Sequence, residues 1–415
     1  MRVLVPLGHK SLTGVVLGNH TDSIKESIQL RDILCVLDET PIVTQDQLFL
    51  WQWIAGYYLC TLGEVLAAAL PAGIIDDNYT ARTATYLSLH PAVNIEQIRL
   101  LLHRAPKQLH VLETYLRLSA TSPFVEKRIL IEESGESTAI VRALIERKIF
   151  DECERNVSRI ASYTGVIEPA HPLSPAQQKA ANEIHHIWQS HEVCLLHGVT
   201  SSGKTEIYIR LIQEQLEQGR NVLYLVPEIA LTTQLTDRLR LVFGNSLLVY
   251  HSRFSDAERV EIYHSIRQAK KPYLVIGARS AIFLPFQNLG LVIVDEEHES
   301  SYKQSEPAPR YHARSAAIVL AHKTNAKVLL GSATPSVDSY YNTTIGKYGL
   351  VSLSERYASI QLPRITLIDL KRQYHRKEMY GHFSDPLVDR IREELSRDKQ
   401  VILFQNRRGY APMLQ

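Results

Sequence analysis

The sequence predicts an α/β protein whose largest part is a doubly wound parallel sheet between about residues 170 and 350. Three observations carry this. From Leu173 onward, short apolar runs alternate strictly with helical patterns. The runs are continuously apolar, as strands covered on both faces must be, and do not alternate in the manner of a half-exposed sheet. The first run, Val193–Leu196, leads into Gly198-x-x-x-x-Gly203-Lys204-Thr205 and then into a helical pattern, the strand–loop–helix order of a phosphate-binding unit.

The elements follow in chain order. Residues 1–20 read as two short strands around Gly8–Ser11, and residues 44–59 as an aromatic-rich helix capped by Thr44 and Gln47. Its aromatic run (Phe49, Trp51, Trp53, Tyr57, Tyr58) is read as core, with base stacking as the alternative. Pro71 and Gly73 close this first region, 1–75. Residues 80–165 change character. Helical patterns lie near 95–103, 107–118 and 137–148, an apolar alternation at 125–133 falls between the last two, and a possible strand ends the region at 152–157. Small helices with a terminal hairpin fit a winged helix, and a plain helical connector fits too. A Pro/Gly-containing linker, 161–172, follows.

In the main domain, strands are predicted near 193–197, 221–226, 247–250, 273–276, 290–294 and 327–331. Helices are predicted near 175–190, 204–218, 229–243, 256–269 and 311–324. Ile207, Tyr208, Leu211, Ile212 and Leu216 give the second helix a buried face, and Gly219 is its stop. Ser255 and Glu258 form a capping box for the fourth helix. Beyond 350 come a strand at 365–370, a Lys/Arg/His-rich loop at 371–382, a helix at 385–396 and a strand at 401–405, the beginning of a further sheet.

Chemistry concentrates at three places. In the loop Gly198, Val199, Thr200, Ser201, Ser202 and Gly203, the glycines let backbone N–H groups crowd around an anion. The following helix adds its positive end, Lys204 adds a charge for the outer phosphates, and the Thr205 hydroxyl suits Mg²⁺. In LVIVDEEH, 291–298, an apolar strand delivers Asp295 and Glu296 to the carboxyl edge of the sheet. Asp295 suits Mg²⁺ and Glu296 suits a general base for attack on the γ-phosphate, with Lys204 completing the catalytic set. Glu297 and His298 extend that box. In LLGSATPS, 329–336, Ser332 and Thr334 sit where they can bond the box and sense the γ-phosphate. A loop carrying Tyr302, Lys303, Arg310, Tyr311, His312 and Arg314 interleaves aromatic and basic groups, a composition suited to unpaired nucleic acid.

Composition bounds the rest. An apolar fraction of 45% is globular, and 46 basic against 44 acidic residues leave a formal charge of +2, so nucleic-acid binding must come from local patches. Four scattered cysteines offer neither a disulfide framework nor a zinc site, and with a triphosphate loop they fit a reducing cytoplasm. No run is long and apolar enough for a membrane span.

The three motifs in this order resemble lobe one of superfamily 2 helicases. More closely, the chain resembles the primosomal replication-restart helicases of the PriA family. The resemblance rests on LSPAQQKA (173–180), HGVTSSGKTEIY (197–208), LVPEIALTTQ (225–234), YHSRFSDAER (250–259), residues 275–304, PRYHAR (309–314), LLGSATPS (329–336) and NRRGYAP (406–412). It implies a RecA-like P-loop NTPase lobe at 170–350. Before it the resemblance places most of a small β-rich domain binding the 3′ end of DNA (1–75) and a winged helix (80–165), and after it a connector and the beginning of a second RecA-like lobe (351–415). It implies that Gln177 reads adenine, that Asp295–His298 is a DEAH-type box, and that 302–314 couples DNA contact to hydrolysis. It also implies ATP and Mg²⁺ as ligands, and forked or branched DNA, primosome proteins and single-strand-binding protein as partners of a monomer. Zinc is expected in the family, with its cysteines beyond this chain, so that ATP and DNA binding is expected here with a weakened motor. Ser201 departs from the family, which more often has glycine there. The competing readings are a P-loop phosphotransferase and a DNA-binding module with an idle ATP site.

Overall fold

The computed structural model describes residues 1–18, 31–76, 79–120, 122–160, 162–228, 230, 232–251, 253–355 and 364–404. NRRGYAP and the last residue of the strand expected at 401–405 lie outside the described residues. The chain forms two compact units, Met1–Tyr357 and Ala358–Gln415.

The first unit begins with β1 (Arg2–Leu7) and β2 (Lys10–Val15), an antiparallel pair joined by β3 (Cys35–Val36) on the other side of β1. Arg2 anchors this sheet through Asp38 at 2.7 Å. Helix α1 (Gln45–Tyr57) starts at the expected Thr44–Gln47 capping box, and α2 (Leu62–Ala69) and α3 (Ala72–Ile75) follow. Trp51 and Ile54 of α1 are core, but Tyr57 is 67% exposed, so the aromatic run divides between core and surface.

Next come β4 (Thr83–Leu89), α4 (Ile95–Leu102), α5 (Pro106–Leu118), β5 (Val125–Glu126), α6 (Lys127–Ser134), α7 (Thr138–Glu146) and β6 (Phe150–Asn156). The strands form one sheet in the order β5-β4-β6, and the helices close a separate core around Leu112, Tyr115, Leu130 and Phe150. Two features differ from expectation. Strand β4 was not foreseen. The alternation at 125–133 gives only two strand residues before turning helical, because Leu130 and Ser134, four apart, both face this core, and Gly135 in the left-handed region ends the helix.

The main domain contains α8 (Pro175–Ile187), β7 (Val193–Gly198), α9 (Lys204–Glu217), β8 (Asn221–Leu225), α10 (Thr233–Phe243), β9 (Leu247–Tyr250), α11 (Asp256–Gln268), β10 (Leu274–Gly277), β11 (Leu289–Asp295), α12 (Ala313–Thr324), β12 (Lys327–Ser332), α13 (Val337–Thr344) and β13 (Gly349–Leu353). The sheet is parallel, in the order β13-β7-β12-β11-β8-β10-β9. Alternate strand residues feed two cores. Leu195, Leu223, Val292 and Leu330 pack with α1, α11 and α12, whereas Cys194, Tyr224, Ile293 and Leu329 pack with α8, α9 and α10. The N-terminal region is thus fastened to one face of the sheet. Gln47 of α1 donates to Phe283 O and sits 3.2 Å from the Tyr263 hydroxyl.

The second unit holds α14 (Leu370–His375), β14 (Met379–Tyr380), β15 (Phe383–Ser384) and α15 (Asp385–Ser396). The helix at 385–396 is where expected. The strand expected at 365–370 is not: residues 364–369 have no ladder partner and Leu370 begins α14, capped by Asp369. Residues 401–404 also lie outside any ladder. An apolar alternation becomes a strand only where a neighbour takes up its backbone bonds. No helix among the described residues is long and apolar enough to cross a membrane.

Candidate nucleotide site and its link to the aromatic loop

Strand order assembles the site. β7, β11 and β12 are separated in sequence but lie in space as β7-β12-β11, so the phosphate loop, the Ser-Ala-Thr turn and the acidic box leave the same sheet edge side by side. The ladder pairs Asp295 with Gly331 and Gly331 with Leu196.

The loop has the conformation that its residues permit at a cost. Gly203 sits at φ 77° and Ser201 at φ 64°, both in the left-handed region. Glycine takes that region freely and serine does not, which is the physical content of the departure at Ser201. A Cβ on Gly198 would press on Lys204 and Ser202 at 3.0 Å. Lys204 Nζ donates to Gly198 O at 3.0 Å and lies 3.9 Å from Glu296 Oε1. Ser202 Oγ is buried without a partner. Val199 N–H donates to Leu353 O, Thr200 lies within the loop, and Thr205 is in the first turn of α9.

Gln177 is buried beside the loop. Its Oε1 accepts from Ser174 N–H at 2.9 Å, and its Nε2 donates to Ser202 O at 3.2 Å and Gly203 O at 3.3 Å. The Ser174-x-x-Gln177 capping box was legible in sequence and not read there. The amide is engaged on the loop, so contact with a base requires it to turn away. Gln177 lines a cleft of about 650 Å³ with Leu173, Ser201, Gly203, Glu206 and Arg238. Glu206 and Arg238 form an ion pair at its wall that sequence reasoning did not find, since they lie on different helices.

In the box, Asp295 is half-buried, and desolvation raises its carboxyl pKa against hydrogen bonds from Tyr208 and Tyr224 and the charge of Lys204. Glu296 takes φ 44°, the left-handed region. Its pKa is raised first by burial and then by repulsion from Asp295, with Lys204 and His298 opposing. A carboxyl group with a raised pKa, a few ångströms from the lysine of the glycine loop, is suited to accept a proton from a nearby water. Glu297 points the other way and is 0% exposed. It accepts from Ser336 N–H at 2.7 Å, Ser336 Oγ at 3.0 Å, Ser339 Oγ at 2.8 Å and the Arg314 guanidinium. Burial pushes its pKa up, but these donors outweigh burial and hold it below the ordinary value. His298 Nδ1 lies 2.8 Å from Ser332 Oγ, and Nε2 lies 3.4 Å from Thr334 Oγ1, so the box and the Ser-Ala-Thr turn are in direct contact.

The aromatic loop differs from its expected form. Tyr302 and Tyr311 are each 1% exposed. The Tyr302 hydroxyl lies 2.6 Å from Asp295 O and 3.1 Å from Leu225 O, and Tyr311 packs on Phe283. Neither ring offers a face to an unpaired base in this structure, and Arg314 is turned inward on Glu297. Lys303 and Arg310 are the exposed cations. Lys303 Nζ lies 4.9 Å from the Tyr58 ring centre, and Arg310 reaches Glu306 at 2.7 Å. His312 N–H donates to Tyr58 Oη at 3.1 Å, and its ring pKa is lowered to about 4 by burial and by Arg314 and Lys303.

No group of three or more His, Cys, Asp or Glu among the described residues is arranged to hold a metal. A Mg²⁺ carried by a nucleotide needs fewer protein ligands, and the hydroxyl of Thr205 and a carboxylate oxygen of Asp295 are the hard oxygen donors it prefers. Together with the unpartnered Ser202 hydroxyl at the loop, the residues fit a Mg-nucleotide.

A parallel sheet with a phosphate loop, an acidic box and a Ser-Ala-Thr turn at one edge defines a helicase-type P-loop nucleoside triphosphatase lobe. The DEAD/DEAH box helicase model matches residues 174–343. The model of a 3′ DNA-binding domain matches 1–71, and that of a winged-helix domain of PriA helicases matches 84–157. The replication restart protein PriA of Haemophilus influenzae is 37% identical over 100% of this chain and 56% of its own length. Its namesake in Bacillus subtilis is 32% identical over 99% of this chain and 58% of its own. The chain belongs to the PriA replication-restart family and spans about half the length of the curated relatives it matches. Among solved structures, RecG bound to a three-way DNA junction aligns with 71% of this chain and 35% of its own at TM-score 0.38 and 19% identity, a partial likeness.

Proposed function

We propose that this chain carries the nucleotide site and DNA-engaging domains of an ATP-dependent 3′→5′ DNA helicase that acts at branched DNA in replication restart and primosome assembly. Its ligand is Mg·ATP, with Thr205 and Asp295 toward the metal, Lys204 toward the phosphates and Glu296 as the base. The observation that carries the reading is the contact between the box and two further elements. His298 meets Ser332 and Thr334, and Glu297 meets Arg314 of the helix that follows the aromatic loop. A triphosphate site wired to a second element is what a motor needs and a small-molecule kinase does not. Residues 1–75 would hold a 3′ DNA end, 80–165 act as a winged helix, 170–350 as the first motor lobe and 351–415 as the connector into a second. Lys303 and Arg310, exposed on the loop, would be the cations that meet DNA. Primosome proteins and single-strand-binding protein are the partners that family membership points to, acting with a monomer.

The test is the rate of ATP hydrolysis with and without a forked DNA bearing a 3′ end, on this chain and on a longer version. Stimulation by the fork in the longer version, together with nucleotide and DNA binding by this chain, is the expected result. Turnover stimulated by a small acceptor and indifferent to DNA would support the phosphotransferase instead.

A further inference from the structure

Asp295 is held by two phenols that lie far from it in sequence. Tyr208, on the buried face of α9, donates to Oδ1 at 2.9 Å. Tyr224, in the neighbouring strand β8, donates to Oδ2 at 3.2 Å. The N–H of Glu296 adds a third donor to Oδ1 at 3.1 Å. Both rings are fully buried and meet edge to face at 5.6 Å, so their hydroxyls have little freedom to turn elsewhere. The third strand of the group keeps a matching space. A Cβ on Gly331 would overlap the Tyr208 hydroxyl, lie 2.9 Å from Tyr208 Cζ and come within 3.3 Å of Asp295 Oδ1. The glycine before the Ser-Ala-Thr turn is therefore required by the tyrosine, and not by its own backbone angle.

The accounting of lone pairs is what makes this arrangement informative. An ionised carboxylate has two oxygens and about four acceptor sites. Three are occupied here, two on Oδ1 and one on Oδ2. We propose that Tyr208 and Tyr224 are positioning residues that, with Gly331 leaving room, fix the Asp295 carboxylate so that Oδ2 alone offers a free acceptor site to the aquated Mg²⁺ of the nucleotide. Two buried aromatic rings would pack as well as phenylalanines. The hydroxyls are needed because a half-buried carboxylate at a sheet edge keeps one orientation only where donors hold it, and their direction then decides which oxygen faces the metal.

The inference rests on the reading of Asp295 as facing a nucleotide-bound metal, and the test separates the two. The affinity of the 415-residue chain for a fluorescent ADP is measured in excess EDTA and in saturating Mg²⁺. For the unaltered chain, Mg²⁺ is expected to tighten binding. Tyr208→Phe and Tyr224→Phe should each bind ADP in EDTA as the unaltered chain does, and should lose the Mg²⁺-dependent tightening by about tenfold or more, the usual scale for removing a group that orients a metal ligand. Gly331→Ala, which displaces the Tyr208 hydroxyl without removing it, should show the same loss, and Gly331→Ala combined with Tyr208→Phe should be no worse than either alone. A merely structural role would weaken ADP binding in EDTA as well, and would make the double variant additive. Unchanged Mg²⁺ tightening in both phenylalanine variants overturns the inference while leaving the nucleotide site intact. If those variants do not fold, unchanged tightening in Gly331→Ala overturns it. ADP binding by the unaltered chain that is indifferent to Mg²⁺ overturns the reading of the site and the inference with it.

Discussion

Glu296 and Glu297 are adjacent in the chain and opposite in their surroundings, and the two sides of the strand end that they occupy divide the work of the box. On the side of the glycine loop, Glu296 is partly open, sits in a left-handed backbone conformation and has no hydrogen-bond donor on its carboxylate among the described residues, only the Lys204 ammonium at 3.9 Å and the His298 ring at 3.7 Å. On the other side, Glu297 is sealed from solvent and accepts four hydrogen bonds from Ser336, Ser339 and Arg314. Burial raises the pKa of the first, whereas the donors around the second outweigh burial and lower it. An acid kept short of partners can do chemistry. An acid gripped by four donors is a joint, here fastening the strand to α12 and α13. The left-handed turn at Glu296, costing about 1–3 kcal/mol, is what sends successive side chains to opposite sides.

The contrast can be broken by mutation. Glu297→Ala has the largest expected effect. It strips a buried carboxylate from Arg314 and two serines, and such losses typically cost about 3–5 kcal/mol. Urea unfolding should show it, with a lowered midpoint for residues 1–357. Glu296→Gln should leave the unfolding midpoint nearly unchanged and nucleotide binding intact. In a form of the protein that turns over ATP, it should lower hydrolysis by about 10²–10⁴-fold, the usual contribution of a general base. Rapid hydrolysis in that variant would transfer the base role to another residue.

Acid sharpens the same boundary from the loop side. The ring of His312 has a pKa of about 4, below the 6.5 usual for histidine. The folded form therefore binds fewer protons than the unfolded chain between those values, so stability must fall as pH drops from about 6.5 toward 4 and then level off for this group. Thermal unfolding followed across that window should show the decline, and His312→Gln should lessen it, the remainder coming from His251 and His264, whose ring pKa values burial also lowers. Ser201→Gly is the smallest expected change. It relieves a left-handed serine at the cost of a more flexible unfolded chain, so the melting temperature should shift by no more than the equivalent of about 1 kcal/mol.

What was legible in the sequence was whatever the chain writes contiguously. The phosphate loop, the acidic box and the Ser-Ala-Thr turn each follow an apolar run directly, so one stretch carries both the strand and its chemistry. Their assembly followed from the parallel sheet. What was not legible depends on partners far away. The bonds from Tyr208 and Tyr224 to Asp295 cross 87 and 71 residues. Tyr302 and Tyr311 sit among cations in a loop without periodicity, so nothing local distinguishes a ring offered to a base from one buried under the sheet. Residues 365–370 show the converse error, an apolar alternation with no neighbouring strand to pair with. Of the partners of Glu297, Ser336 closes the stretch 329–336 and caps α13 and Ser339 lies within α13, and no motif ties either to the acidic box.

The division of the box is tested most directly by unfolding two isosteric variants side by side. Glu296→Gln and Glu297→Gln each exchange one carboxylate oxygen for an amide, at neighbouring positions of the same chain. The account predicts a urea midpoint close to that of the unaltered protein for Glu296→Gln and a markedly lower one for Glu297→Gln, where an amide N–H₂ is forced against Arg314 or the serines. Equal midpoints, or the greater loss at Glu296, would contradict it.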